Sequence, residues 1–150
     1  MELILWRHAE AEDSSPDIQR VLTLKGHKQA KQMAAWLKKH LATDTRILVS
    51  PALRTQQTAL ALTDKFITLE SLAPETSVKD ILDAAEWPRS GGSVLIVGHQ
   101  PTLGEVAAKL LESAESCYSV KKGAVWWFQN RKHGNVAETV LKAVINPEML

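Results

Sequence analysis

Hydrophobic positions along this chain fall into two patterns. Short unbroken apolar runs occur at Leu3-Ile4-Leu5-Trp6, Ile47-Leu48-Val49 and Val94-Leu95-Ile96-Val97. Runs of this length, aliphatic and without polar alternation, predict strands buried on both faces of a parallel sheet. Phe66-Ile67-Thr68-Leu69 is a weaker strand candidate. Between the runs, apolar residues recur with helical spacing. Ala30, Met33, Ala34, Leu37 and Leu41 share one helical face, with Thr23 as the expected N-cap and Lys38-Lys39-His40 at the end, where positive charge complements the helix dipole. Ser50-Pro51 reads as an N-cap followed by an N1 proline, opening a helix through Leu53, Leu60 and Leu62. Ser77 caps a helix near Val78–Ala85, and Pro101 opens another through Leu103, Val106, Ala107, Leu110 and Leu111.

Polar stretches separate these elements at Glu12–Asp17, Pro88–Gly92 and Asn130–Asn135. The last joins Val125-Trp126-Trp127-Phe128 to Thr139–Ile145, a predicted terminal hairpin. Trp126 and Trp127 are expected on an ordinary strand, one buried and one partly exposed, rather than on a base-stacking platform. No repeat, low-complexity tract or linker interrupts residues 1–150, so one domain is expected. Strands alternating with helices imply right-handed βαβ units, a three-layer α/β/α arrangement and a mostly parallel central sheet.

Composition narrows the function classes. The chain has 150 residues, 45% hydrophobic and 23% charged, which is ordinary for a globular fold. Eighteen Lys+Arg against 17 Asp+Glu leave a net charge of +1, so bulk charge points to neither nucleic acid nor membrane. Anion binding must come from a few placed residues. The one cysteine, Cys117, excludes an internal disulfide and multi-cysteine zinc sites, and suits a reducing cytoplasm. The first residues lack a signal peptide's basic and apolar regions, and no apolar run reaches spanning length. A cytoplasmic protein is expected.

Chemistry collects at the predicted strand ends. The first strand runs into Arg7-His8, and the second into Ser50-Pro51 with Arg54 a few residues on. Val94–Val97 runs into Gly98-His99 just before a helix start. Ligands of open parallel sheets bind beyond the carboxyl ends of the strands. Two histidines and two arginines should therefore converge there, beside two helix N-termini. Arginine forks and free helix N–H groups both suit phosphoryl oxygens. As metal ligands, His8 and His99 lack a third donor at a comparable strand end, and the arginines would repel a cation. No metal and no cofactor are expected.

These residues also carry a family resemblance. Leu5-Trp6-Arg7-His8-Ala9-Glu10-Ala11-Glu12 resembles the signature of the histidine phosphatase superfamily, which includes the phosphoglycerate mutases. Arg20-Val21-Leu22-Thr23-Leu24-Lys25-Gly26, Ser50 to Ala59, and Val97-Gly98-His99-Gln100-Pro101 are similar to its later segments, in family order. Length and the alanine at Ala9, where glycine is usual, look closest to the small SixA-type phosphohistidine phosphatases. The resemblance implies a phosphoglycerate mutase-like fold, with His8 as nucleophile forming a phosphohistidine intermediate. Arg7, Arg54 and His99 would surround the phosphoryl oxygens, and Arg20 would add a basic contact. The general acid is not clearly marked. Glu70, Glu75, Glu10 and Glu12 are the candidates, and Glu75 is carried forward.

A missing or weak acid suits a labile P–N bond better than a sugar phosphate. The short chain leaves little to roof the pocket, so an open site would accept a side chain presented by a phosphorylated protein, such as a phosphotransfer or phosphocarrier domain. The alternatives are a phosphatase of small phosphate monoesters and a non-catalytic phosphate-binding module. A binder would need the arginines but not the nucleophile.

Overall fold

The computed structural model describes all of residues 1–150. Six strands form one sheet: β1 (Glu2–Arg7), β2 (Arg46–Val49), β3 (Ile67–Thr68), β4 (Ser93–Gly98), β5 (Val125–His133) and β6 (Val136–Ile145). Their order across it is β3-β2-β4-β1-β5-β6. The first three contacts in that order are parallel, and the last two are antiparallel. Helices α1 (Leu24–His40), α2 (Leu53–Leu60), α3 (Val78–Ala85) and α4 (Thr102–Leu110) complete the α/β architecture.

The unbroken apolar runs are explained by burial on both faces. Leu3–Trp6 and Val94–Val97 are fully buried. Because strand side chains alternate, Leu3, Leu5, Val94 and Ile96 pack toward Ile81 of α3 and Leu103 and Val106 of α4. Ile4, Trp6, Leu95 and Val97 pack toward Met33, Ala34 and Leu37 of α1 and Ala59 of α2 on the other face. Each face buries several large side chains, and each contributes roughly 1.5–3 kcal/mol relative to exposure.

Local signals place the helix starts with one exception. Thr23 Oγ1 accepts from Gly26 N–H at 2.9 Å, and Ser77 Oγ accepts from Asp80 N–H at 3.1 Å, so both caps form as expected. Pro101 occupies the N-cap position of α4. The exception is α2. It begins at Leu53, with Ala52 at its N-cap, and ends at Leu60, short of Leu62. Ser50 accepts from Ala52 N–H at 3.2 Å, but its main engagement lies elsewhere.

Two strands also differ from expectation. The run at Phe66 condenses to Ile67–Thr68, an exposed edge strand. The hairpin is longer than predicted, since β5 runs to His133 and β6 starts at Val136. Asn130 to His133 are polar, but at an exposed hairpin end neither face needs apolar residues. Trp127 is buried and Trp126 partly so. No helix is long and apolar enough to cross a membrane.

Candidate active site

Strand register brings the two site histidines together. Arg7 pairs with Gly98 in the parallel β1–β4 ladder, so the next residues, His8 and His99, leave adjacent strands side by side. Their ring centroids are 5.4 Å apart. Val49 pairs with Val97, which sets Ser50 beside this point from the third strand. The anchoring is done by the backbone. His8 N–H donates to Gly98 O at 3.1 Å, and Ser50 N–H donates to Val97 O at 3.2 Å.

Hydrogen bonds fix both imidazoles. His8 Nδ1 lies 2.7 Å from Ala9 O. A carbonyl can only accept, so Nδ1 carries the proton and Nε2 keeps its lone pair. No protein hydrogen bond engages that Nε2. His99 Nε2 lies 2.7 Å from Ser50 Oγ. Since Ser50 Oγ already accepts from Ala52 N–H, its own proton is free to go to His99 Nε2. His99 Nδ1 is then the donor, and it is buried without a partner.

Electrostatics keep both rings neutral. Burial pushes His8 down to about 4, against the bond to Ala9 O and with help from Arg54, Arg7 and Arg20. Burial, then the neighbouring His8 and Arg54, push His99 down to about 3. A neutral His8 with a free Nε2 lone pair can act as a nucleophile.

The arginines are anchored at one end only. Arg7 Nη1 donates to Val120 O at 2.8 Å, while Arg7 Nε is buried without a partner. Arg54, its side chain 5% exposed, donates from Nη1 to Asp17 O at 2.8 Å and from Nη2 to Asp17 Oδ2 at 3.1 Å. Arg54 Nε is likewise unpartnered. Both Nη of Arg54 and the Nη1 of Arg7 are held, and in both side chains the Nε donor is left over. Five buried side-chain polar atoms in the molecule lack a partner, and three of them are Arg7 Nε, Arg54 Nε and His99 Nδ1. Unmet buried donors are costly, so their concentration marks a binding site for an acceptor-rich anion.

Loop and helix are clamped around this point. Ala9 N–H donates to Thr58 Oγ1 at 3.0 Å, and Thr58 donates to Arg54 O at 2.7 Å, tying the segment after His8 to α2. Gly26 lets α1 approach the same segment, because a Cβ there would sit 2.0 Å from Glu10 O. Arg20 donates from Nε to Glu12 O at 2.7 Å and from Nη1 to Asp17 Oδ1 at 3.2 Å.

Arg7, His8, Arg54 and His99 are thus brought together, with Arg20 joined to them through Asp17. Glu75 is not. It is exposed on the turn before α3, with no hydrogen bond to these residues. Asp17 is the carboxylate in contact with the cluster, and its role was not visible in the sequence. Desolvation is the largest single influence and raises it, but the bonds from Arg20 and Arg54 and their charges together outweigh it and hold Asp17 below the usual carboxylate range. The spacing Asp17-x-x-Arg20 was a signal, but Glu12 and Asp13 offered equally exposed carboxylates on the same stretch. The described residues contain no group of three or more His, Cys, Asp or Glu that could hold a metal ion.

Comparison with known proteins identifies the family and the fold. The model of the histidine phosphatase superfamily (branch 1) matches residues 3–74. A phosphohistidine phosphatase SixA homolog of Haemophilus influenzae is 39% identical over 126 residues, covering 73% of this chain and 77% of its own. Phosphohistidine phosphatase SixA of Escherichia coli is 33% identical over 119 residues, covering 73% and 74%. The chain belongs to the histidine phosphatase superfamily and is a phosphatase of its SixA type. The structure of the protein histidine phosphatase SixA complexed with tungstate superposes with a TM-score of 0.81 at 26% identity, covering 99% of both chains. A phosphoserine phosphatase of Entamoeba histolytica shares the fold at a TM-score of 0.75 and 17% identity.

Proposed function

We propose that this enzyme removes the phosphoryl group from phosphohistidine on a protein partner, through a phosphohistidine of its own at His8. The observation that carries the reading is the set of unmet donors, Arg7 Nε, Arg54 Nε and His99 Nδ1, beside a histidine whose Nε2 lone pair is free. A binding module needs the donors, but has no use for a nucleophile poised among them. The relatives named for phosphohistidine support the substrate class. A relative that takes tungstate supports a site for tetrahedral oxyanions.

In the first step His8 Nε2 attacks phosphorus. The P–N bond to the substrate imidazole breaks, and that imidazole leaves with the electron pair and takes up a proton. Arg7, Arg54 and His99 hold the phosphoryl oxygens, where charge develops, and Arg20 adds a contact from the rim. The donors need not reorganise, since their other ends are already anchored. In the second step water attacks the phosphorylated His8, releasing inorganic phosphate and restoring the Nε2 lone pair. No residue in contact with the cluster is a committed general acid. Imidazole is a good leaving group, so the first step can draw its proton from solvent. Neither step calls on a metal.

The deciding experiment incubates the protein, in the presence of EDTA, with a phosphorylated phosphocarrier or phosphotransfer domain. Loss of phosphohistidine should proceed, and wild type should carry a transient acid-labile, base-stable ³²P label that His8→Ala never acquires. His8→Ala should show no detectable turnover while keeping the fold. Full activity in that variant removes the nucleophile assignment. Efficient hydrolysis of small monoesters with no action on phosphohistidine would instead assign the enzyme to small substrates.

A further inference from the structure

The site opens at Arg7 onto a cationic trough whose other side chains phosphoryl transfer does not use. A cleft of about 380 Å³ begins at Arg7 and is lined by Lys25, Gln29, Lys121 and Lys122, with no hydrophobic side chain in its wall. It shares Lys25 and Gln29 with a neighbouring cleft of about 370 Å³, which adds Lys28. Lys25 and Lys28 in turn border a third depression that reaches Lys31. The trough follows the outer side of the first turns of α1, starting at a side chain of the site.

Its charges are unbalanced. Six cationic side chains face two side-chain carboxylates, Glu10 and Glu148. Both carboxylates are engaged. Glu10 Oε2 accepts from Thr23 Oγ1 at 2.8 Å, and Glu148 pairs with Lys121 at 2.8 Å. Lys25, Lys28, Lys31 and Lys122 are exposed and pair with no carboxylate. A chain with net charge +1 that gathers unpaired lysines beside its site has a local field that its overall charge conceals.

We infer that this trough docks an acidic surface flanking the phosphohistidine of the partner protein. The inference rests on the activity proposed above and adds what the partner must look like: carboxylates beside the phosphorylated histidine, on the side that meets α1. The phosphoryl site itself sees only a phosphate and an imidazole, which all proteins phosphorylated on the same ring nitrogen present alike. Discrimination among them has to come from a neighbouring surface, and complementary charge supplies both encounter rate and register. Nucleic acid fits less well, because no Phe, Tyr or Trp lines the trough and the one ring, His27, stands alone.

The test uses two phosphohistidine peptides alike except for their flanks, acidic in one and neutral in the other. Binding to the His8→Ala enzyme is followed by fluorescence anisotropy, and turnover is followed with wild type. The acidic peptide should bind about tenfold tighter at low salt, and the advantage should fade as salt screens it. Adding Lys25→Glu, Lys28→Glu and Lys122→Glu together should erase the advantage, with the neutral peptide changed less than about twofold. These lysines are exposed, so the fold should persist by circular dichroism. Equal binding of the two peptides, or a preference that survives the triple change, overturns the inference. So does a DNA duplex that displaces the acidic peptide, since the trough would then belong to nucleic acid. Binding and turnover separate the two ideas. If neither peptide is dephosphorylated, the proposed activity fails while anisotropy still reports on the trough.

Discussion

Two carboxylates in this molecule each bridge two basic side chains, in regions with opposite characters. Asp17 joins Arg20 to Arg54 at the carboxyl ends of the parallel strands. Glu138 joins Arg131 to His133 across the antiparallel β5–β6 hairpin. The carboxylates themselves are similarly exposed, at 58% and 43%. Their partners differ. Arg131 and His133 are 50% and 68% exposed, so water could replace Glu138 at little cost. Arg54 is 5% exposed and still has an unmet Nε donor. An ion pair that satisfies all its members in water is surface. One that holds a buried cation while leaving a donor free is equipment for a ligand.

The sharpest way to test that distinction within the site is Arg54→Ala. A charge-assisted hydrogen bond to a phosphoryl oxygen contributes about 1.5–3 kcal/mol, so inhibition by phosphate or vanadate should weaken about ten- to a hundredfold. Turnover should fall with it. An unchanged inhibition constant would contradict the anion site.

Titration separates the same regions by pH. His8 and His99 are pushed down to about 4 and about 3 from 6.5, chiefly by burial. They should stay neutral far below the ordinary histidine midpoint in an NMR titration. The consequence for stability has a definite sign. Below about 6.5 the unfolded chain takes protons at these two positions, and the folded chain takes them only near 4 and 3. Urea unfolding should therefore show stability fully present above 6.5 and falling as pH drops through that window. Midpoints near the ordinary value for both rings would remove the burial-driven shift, and with it the neutral nucleophile at acidic pH.

The sequence made one of these regions more legible than the other. At the strand ends the signals, each weak alone, had one joint physical reading. Apolar runs without alternation must be buried on both faces, and residues just beyond parallel strands must meet. Arg7, His8, Arg54 and His99 could be collected on that basis. Ser50 was read as a helix cap because a serine before proline usually is one. In the fold its Oγ meets His99 Nε2, and α2 starts later. Asp17 was invisible because its importance comes from Arg54, which lies 37 residues away in sequence. In the hairpin the alternation that marks a strand disappears where neither face is covered. Asn130 to His133 consequently read as loop although they continue β5.

Glu75→Gln probes the acid candidate carried forward from the sequence, which makes no hydrogen bond to the cluster. General acid catalysis is typically worth 10²–10⁴-fold, and Glu75 is exposed with no bond to the reacting groups. Phosphohistidine turnover should therefore change by less than about tenfold, below the usual contribution of an acid. A larger loss, confined to substrates with poor leaving groups, would identify Glu75 as the acid and favour small monoesters.

The smallest effects come from the matched pair itself, Asp17→Ala and Glu138→Ala. Removing the Asp17 carboxylate leaves Arg54 with only the Asp17 carbonyl to hold Nη1, and releases Arg20 from Nη1 to the rim. The guanidinium would then be free to turn its Nε edge away from the anion. Turnover and vanadate affinity should both fall about three- to tenfold, the scale of one partly solvated charged bond. Asp17→Glu should recover part of the loss, which a merely structural defect would not allow. If vanadate instead binds more tightly to Asp17→Ala, the carboxylate is a competitor for the arginines and not their anchor. Glu138→Ala removes a shorter pair, since Arg131 Nε lies 2.7 Å from Glu138 Oε1 against 3.1 and 3.2 Å at Asp17. Arg131 and the His133 ring simply return to water there. Turnover, vanadate affinity and Tm should match wild type within replicate error. A loss of activity at Glu138 comparable to that at Asp17 would mean that bridging two basic side chains, rather than holding Arg54, is what matters, and the contrast between the two regions would collapse.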